Sequence, residues 1–173
     1  YGVVANFTIP AAVNKLYKIK QRPIDHPLSV HIGAVSHLHH WAQAIPESAW
    51  KLAKHFWPGP LTLILPRNPD IPDSVTGGQN TVGIRMPAHP VALALLHALG
   101  PEKALAAPSA NRFGRISPTT AAHVQQELGL EVDMILDGGA CKVGLESTII
   151  SFHDELPQIL LSLIHISEPT RPY

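Results

Sequence analysis

The chain has 173 residues, 45% of them apolar, and 13 basic against 13 acidic side chains, so it can bury a core and carries no net charge. Neutrality argues against a broad nucleic-acid-binding surface and leaves room only for a local basic pocket. The single cysteine, Cys141, excludes an internal disulfide, and no apolar run approaches the roughly 18 residues of a membrane span, so the expected compartment is the cytoplasm. The 11 histidines are scattered, and His31, His37, His39 and His40 have no Cys or acidic partners at metal-binding spacing.

Thr8 is placed to cap a helix that has Ile9 and Pro10 in its first turn and Ala12, Val13, Leu16 and Tyr17 on one face. That helix must end in Lys20-Gln21-Arg22-Pro23, because the residue before proline avoids helical angles. Lys20 and Arg22 either offset the helix dipole or aim two cations at a polyanion, and spacing leaves both open. Leu28 to Ile32 reads as a strand containing His31. Pro46 opens a helix with a stripe of Ala49, Leu52, Ala53 and Phe56, and Phe56-Trp57-Pro58-Gly59-Pro60 is a rigid turn into a strand over 61–65. Asn68 to Gly78 reads as a loop. Thr81 to Pro87 is a strand that delivers Arg85 near its end, where an unpaired burial would be costly. Pro90 opens a helix that buries Val91, Leu95 and Leu96 and is closed by Gly100.

Ala104 to Ala107 is a short buried strand stopped by Pro108, after which Ser109 and Asn111 leave the strand end one residue apart. Ser117-Pro118 then predicts a helix through Val124 and Leu128, closed by Gly129. Val132 to Leu136 reads as a strand, Asp137-Gly138-Gly139 as a turn, and Leu145 to Phe152 as a further strand opening with Glu146-Ser147-Thr148. Alternating strands and helices predict an α/β domain with a mixed, twisted sheet. Ligand sites in such sheets lie where strands empty into loops. Strand ends and turns here carry Lys20 with Arg22, His31, Thr81 with Arg85, Ser109 with Asn111, and Ser147 with Thr148. Cations and hydroxyls without a nucleophile–base pair fit phosphate and carboxylate binding better than acyl-enzyme chemistry. Neither a Walker A loop nor a dinucleotide glycine fingerprint is present. Ser109 and Asn111 could equally be a capped turn satisfying its own backbone.

Tyr1-Gly2, Lys20-Gln21-Arg22-Pro23, His26-Pro27-Leu28, Phe56-Trp57-Pro58-Gly59-Pro60-Leu61-Thr62, Thr81 to Pro87, Ala107-Pro108-Ser109-Ala110-Asn111 and Glu146-Ser147-Thr148-Ile149 follow one another in this order. In this order they closely resemble the YrdC/Sua5/TsaC family of threonylcarbamoyl-AMP synthases over residues 1–160. The resemblance implies a twisted mixed sheet flanked by helices around a concave cleft. It also implies a nucleotidyltransferase that makes L-threonylcarbamoyladenylate and pyrophosphate from L-threonine, bicarbonate or CO2, and ATP, with Mg2+, for t6A modification of tRNA. By resemblance Lys20, Arg22, Ser109 and Asn111 are the catalytic group, holding the ATP phosphates. Arg22, His26, Thr81, Ser109 and Ser117 line the ATP site, and His31, Arg85, Ala107 and Ser147 surround threonine. The implied partners are the tRNA-modification proteins that use the adenylate, with tRNA or double-stranded RNA binding as a further family property.

Two departures from the family pattern stand at the ends. The family's Pro-Thr-Glu-Thr segment before Tyr1 is absent, and Leu161 stands where the family places an arginine. Leu161 to Tyr173 resembles the translation of a transposase sequencing adaptor and is set aside from fold reasoning as an artefactual tail. The chain therefore reads as an N-terminally truncated domain expected to bind its ligands weakly and turn over little. Rival readings are the related domain of hydrogenase-maturation carbamoyltransferases, which threonine dependence separates, an RNA-binding module, which neutral charge weakens, and a stand-alone nucleotide-binding regulator.

Overall fold

The structure, a computed structural model, describes residues 1–142, 146–153 and 156–161. Its centre is a mixed sheet of seven strands in the order β1-β5-β2-β4-β3-β6-β7. The strands are β1 (Ala5–Asn6), β2 (Ser29–His31), β3 (Leu61–Pro66), β4 (Thr81–Arg85), β5 (Leu105–Ala106), β6 (Thr148–His153) and β7 (Leu156–Leu161). β2 runs parallel to β4 and β3 parallel to β6, while the remaining pairs are antiparallel. The helices are α1 (Pro10–Lys20), α2 (Leu38–Trp41), α3 (Glu47–Phe56), α4 (Asp73–Thr76), α5 (Pro90–Leu99) and α6 (Ala121–Leu128).

Side chains alternate across a strand, so the burial pattern shows which face is which. Val30, Leu61, Leu63, Leu65, Val82, Ile84, Ala106 and Ile150 turn to one side and form the main core with Val13, Leu16 and Tyr17 of α1, Leu38 and Trp41 of α2, and Ala49 and Ala53 of α3. The residues between them are Ser29, His31, Thr81, Gly83 and Arg85, which are only partly buried at residue level. A second, small cluster of Ile19, Ala110, Val124 and Leu128 fastens α6 to the end of α1.

Several sequence expectations change. Thr8 does not cap α1: its hydroxyl donates to Asn6 Oδ1 at 2.8 Å, and Ile9 occupies the cap position with no side-chain bond. Phe56 is exposed, because the helix ends there and Trp57 turns inward, its Nε1 donating to Leu61 O at 2.7 Å. On α5, Leu96 is buried while Val91 and Leu95 are only half-buried. The 68–78 loop contains α4. The last long helix starts at Ala121 and not at Pro118, since Thr120 supplies the cap by accepting from His123 N.

No strand forms over 132–136. Val132 and Ile135, three residues apart, pack on the second cluster, whereas Met134 and Leu136 point to solvent. That is not the two-residue period a strand needs. The strand expected over 145–152 is β6 and begins at Thr148; Leu145 lies outside the described residues, as does the tail from 162 onward. β1 and β7 carried no sequence signal, and β7 extends through Leu161, which pairs with Ile149.

Candidate active site

β4 positions the first part of the site. Thr81, Gly83 and Arg85 share its half-exposed face, and register sets His31 of β2 directly beside Arg85. A Cβ on Gly83 would stand 3.2 Å from Ile64 Cδ1, 3.3 Å from Thr62 Cγ2 and 3.8 Å from Ser29 Oγ, which identifies those side chains as neighbours on the same face. Ser147, just ahead of β6, joins them through a 2.9 Å hydroxyl contact with Thr62. Ala107 lies beside β2, its N–H donating to Ser29 O at 2.8 Å. His31, Arg85, Thr81, Ala107 and Ser147, scattered in sequence, therefore belong to one surface. Thr81 stands at the opposite end of β4 from Arg85.

Arg85 is anchored by one bond, Nε donating to Gly59 O at 3.0 Å. Its η nitrogens have no carboxylate within 4 Å among the described residues. Gly59 itself is obligatory, for a Cβ there would lie 2.3 Å from Phe56 O. Burial lowers the Arg85 pKa, with the Glu146 charge opposing it, yet an arginine stays protonated in proteins, so a cation with η donors unbonded among the described residues faces this surface. His31 is pushed down to about 3 by burial, with the Arg85 charge adding to the effect. Its imidazole is neutral at physiological pH.

The second part is built where α1 ends. Lys20 is 1% exposed, and its ammonium donates to Ser109 O at 2.5 Å and Asn111 O at 2.6 Å. Burial, with the Arg22 charge second, brings its pKa down to about 8. The lysine charge thus sits beneath the Ser109–Asn111 turn and fixes its shape. Asn111 is buried and donates to Arg112 O and Arg115 O, which leaves its Oδ1 buried without a partner. Such an orphaned acceptor is costly unless something else satisfies it.

Arg22 lies in the loop after α1, its Nη2 donating to Pro27 O at 2.9 Å. The same loop carries His26, and the Phe113 ring touches both, 5.1 Å from the His26 ring and 5.5 Å from the Arg22 guanidinium carbon. Ser117 donates to Glu146 Oε1 at 2.8 Å, tying the turn after Asn111 to the segment that carries Ser147, and the Glu146 charge acts on both Lys20 and Arg85. Phe113 escaped the motif reading, and Thr62 closed the Phe56 to Thr62 motif without being assigned a role. Phe113 is an apolar residue between two arginines and a glycine, and Thr62 is a lone hydroxyl in an apolar strand; both departures from pattern are visible in the sequence.

These arrangements bear on comparison with known proteins. The Sua5/YciO/YrdC profile, described as "Telomere recombination", matches residues 1–161. The chain belongs to that family. Proteins called threonylcarbamoyl-AMP synthase are similar to it. The one from Pyrococcus abyssi is 46% identical over 93% of this chain and 46% of its own length, and the one from Bacillus subtilis is 48% identical over 92% and 46%. The crystal structure of P. abyssi Sua5 complexed with L-threonine superposes with a TM-score of 0.87 at 45% identity, covering 92% of this chain and 46% of that one. The chain thus spans about half the length of these relatives. Family membership carries with it the mixed seven-stranded sheet with flanking helices.

Proposed function

We propose that this chain forms the ATP- and threonine-binding domain of a threonylcarbamoyl-AMP synthase, which makes L-threonylcarbamoyladenylate and pyrophosphate from L-threonine, bicarbonate or CO2, and ATP. The observation that carries the reading is Arg85 beside His31 on the outward face, with no hydrogen bond to its η nitrogens among the described residues. A planar guanidinium that presents its two η nitrogens is suited to a carboxylate. A neutral histidine beside it adds no competing charge. The relatives' shared activity and the threonine-bound relative support the same assignment.

In this reading the amino-acid carboxylate lies on Arg85, with His31, Ala107 and the Thr62–Ser147 hydroxyl pair around the rest of the molecule. Arg22, His26, Thr81, Ser109 and Ser117 serve ATP, and Lys20 keeps the Ser109–Asn111 turn in shape from below. The amine nitrogen, neutral after losing a proton, adds to the carbon of CO2 and gives a carbamate with loss of a second proton. A carbamate oxygen then attacks the α-phosphorus, and the bond to the β-phosphate oxygen breaks, releasing pyrophosphate. No side chain forms a covalent intermediate, so catalysis is positioning and charge stabilisation.

The described residues contain no group of three or more His, Cys, Asp or Glu able to hold a metal. What they do offer is the orphaned Asn111 Oδ1, a hard oxygen suited to supplementing the phosphate ligands of a nucleotide-borne Mg2+. When bound, that ion neutralises phosphate charge. The adenylate is the substrate of a later transfer to tRNA, so the partners this chemistry calls for are the proteins of that step.

The test, made on the full-length protein that carries this domain, is pyrophosphate release from ATP and Mg2+, with and without L-threonine and bicarbonate. Release that requires both, and drops sharply in Arg85→Ala, is the expected result. Release that ignores threonine and responds to carbamoyl phosphate contradicts the reading and moves the chain to the carbamoyltransferase branch.

A further inference from the structure

Phe113 has no role in the chemistry described so far, and its surroundings are unusual for an exposed aromatic residue. The residue is 45% exposed, yet its ring meets the Arg22 guanidinium at 5.5 Å and the His26 ring edge-on at 5.1 Å with an interplanar angle of 75°. Both partners lie in the loop after α1, whereas Phe113 lies in the loop after β5 that also carries Ser109 and Asn111. The backbone beneath the ring is held: Phe113 N donates to Lys20 O at 2.7 Å. Its neighbours are held too, with Arg112 N donating to Glu127 Oε1 and Arg115 Nη1 to Glu127 Oε2 on α6.

The Arg22–His26 loop is tied back to α1, with Arg22 N donating to Tyr17 O at 3.1 Å and the Tyr17 hydroxyl donating to His26 O at 3.0 Å. Among the described residues the Arg22 guanidinium donates to carbonyls of its own loop, His26 O at 3.4 Å and Pro27 O at 2.9 Å. Those bonds orient the arginine within the loop and say nothing about where the loop stands relative to Ser109 and Asn111. The Phe113 ring supplies that second constraint, through its face toward a cation and its contact with a histidine ring.

We propose that Phe113 is a positioning residue for ATP. It acts as a strut that sets the Arg22–His26 loop against the Ser109–Asn111 turn, so that both reach one polyphosphate. This rests on the ATP-binding reading above. An aliphatic side chain of similar size would fill the space without attracting the guanidinium, and a tyrosine would keep both interactions.

The test is titration of the chain with ATP and Mg2+, and separately with L-threonine, for wild type, Phe113→Leu, Phe113→Tyr, Arg22→Ala and the Arg22→Ala/Phe113→Leu double variant. Phe113→Leu is expected to weaken ATP binding about five- to tenfold, in line with the usual size of aromatic and cation–π contacts. Phe113→Tyr should match wild type, threonine binding should stay within about twofold, and the double variant should lose much less than the product of the two single losses. A leucine variant that binds ATP as well as wild type, or strictly multiplicative losses in the double variant, overturns the proposal and leaves the ATP reading intact. So does an equal loss of threonine and ATP binding that tyrosine fails to rescue, which marks a purely structural residue. Wild-type chain that binds no ATP overturns the ATP reading and the proposal together.

Discussion

The two faces of the sheet are made by the same strands and do opposite work. On β4, Val82 and Ile84 are buried in the main core, while Thr81, Gly83 and Arg85 between them look outward. On β2, Val30 is buried and His31 beside it is the neutral neighbour of Arg85. The buried face is held by interchangeable apolar volume, which tolerates shape-preserving swaps. The outward face depends on particular functional groups whose loss leaves the core untouched. Substitutions one residue apart should therefore separate stability from ligand binding.

The largest effect is expected at Ile84, which is fully buried. Ile84→Ala should lower the unfolding free energy by about 3 kcal/mol, read from urea denaturation, because it leaves a cavity in the sheet's core face. Lys20→Met comes next. It takes the donor away from the carbonyls of Ser109 and Asn111 and should cost about 2 kcal/mol of stability by the same assay. ATP affinity should fall with it and threonine affinity should not. Equal losses of both would break the division between the α1 corner and the β4 surface.

His31 sharpens the comparison through pH. Its folded pKa lies near 3, below the ordinary histidine value of 6.5, so the unfolded chain binds the extra proton between those two values. The contribution of neutral His31 is complete above about pH 6.5 and is lost as pH falls toward 3. His31→Gln should flatten the acid side of the stability profile in that window, as measured by thermal melts at stepped pH. The smallest effect is expected at Thr62. Thr62→Val removes a 2.9 Å hydroxyl contact with Ser147 and should cost about 1 kcal/mol or less, seen chiefly as a modest drop in threonine affinity.

How far the sequence revealed these two faces depended on the length of each pattern. α1, α3 and α5 each have a proline at or beside the helix start and an apolar stripe, and they appear where the stripe predicts. β3 and β4 were legible because apolar runs end at prolines or glycines. β1 and β5 have two residues each, too few for a period to declare itself, and β5 was found only because Pro108 stops it. Val132 to Leu136 has strand-like composition, but tertiary packing on α6 takes Val132 and Ile135 at a three-residue interval.

The site divided similarly. Residues in recognisable motifs, such as Lys20, Arg22, Ser109, Asn111 and Arg85, could be singled out in advance. Their partners could not: Lys20 reaching beneath the Ser109–Asn111 turn, Gly59 holding Arg85, and Phe113 bridging two loops are contacts between distant segments. No local pattern encodes those distances.

The central claim is that Arg85, on the outward face, receives a carboxylate. The most direct measurement is calorimetric titration of wild type and Arg85→Ala with L-threonine and with L-threoninol, which lacks the carboxylate. Wild type should bind threonine more tightly than threoninol, and Arg85→Ala should lose roughly 10- to 100-fold for threonine, the usual worth of a charge-assisted contact. The variant should hardly change for threoninol and should keep its melting temperature within a few degrees. Equal threonine binding by wild type and Arg85→Ala would contradict the account.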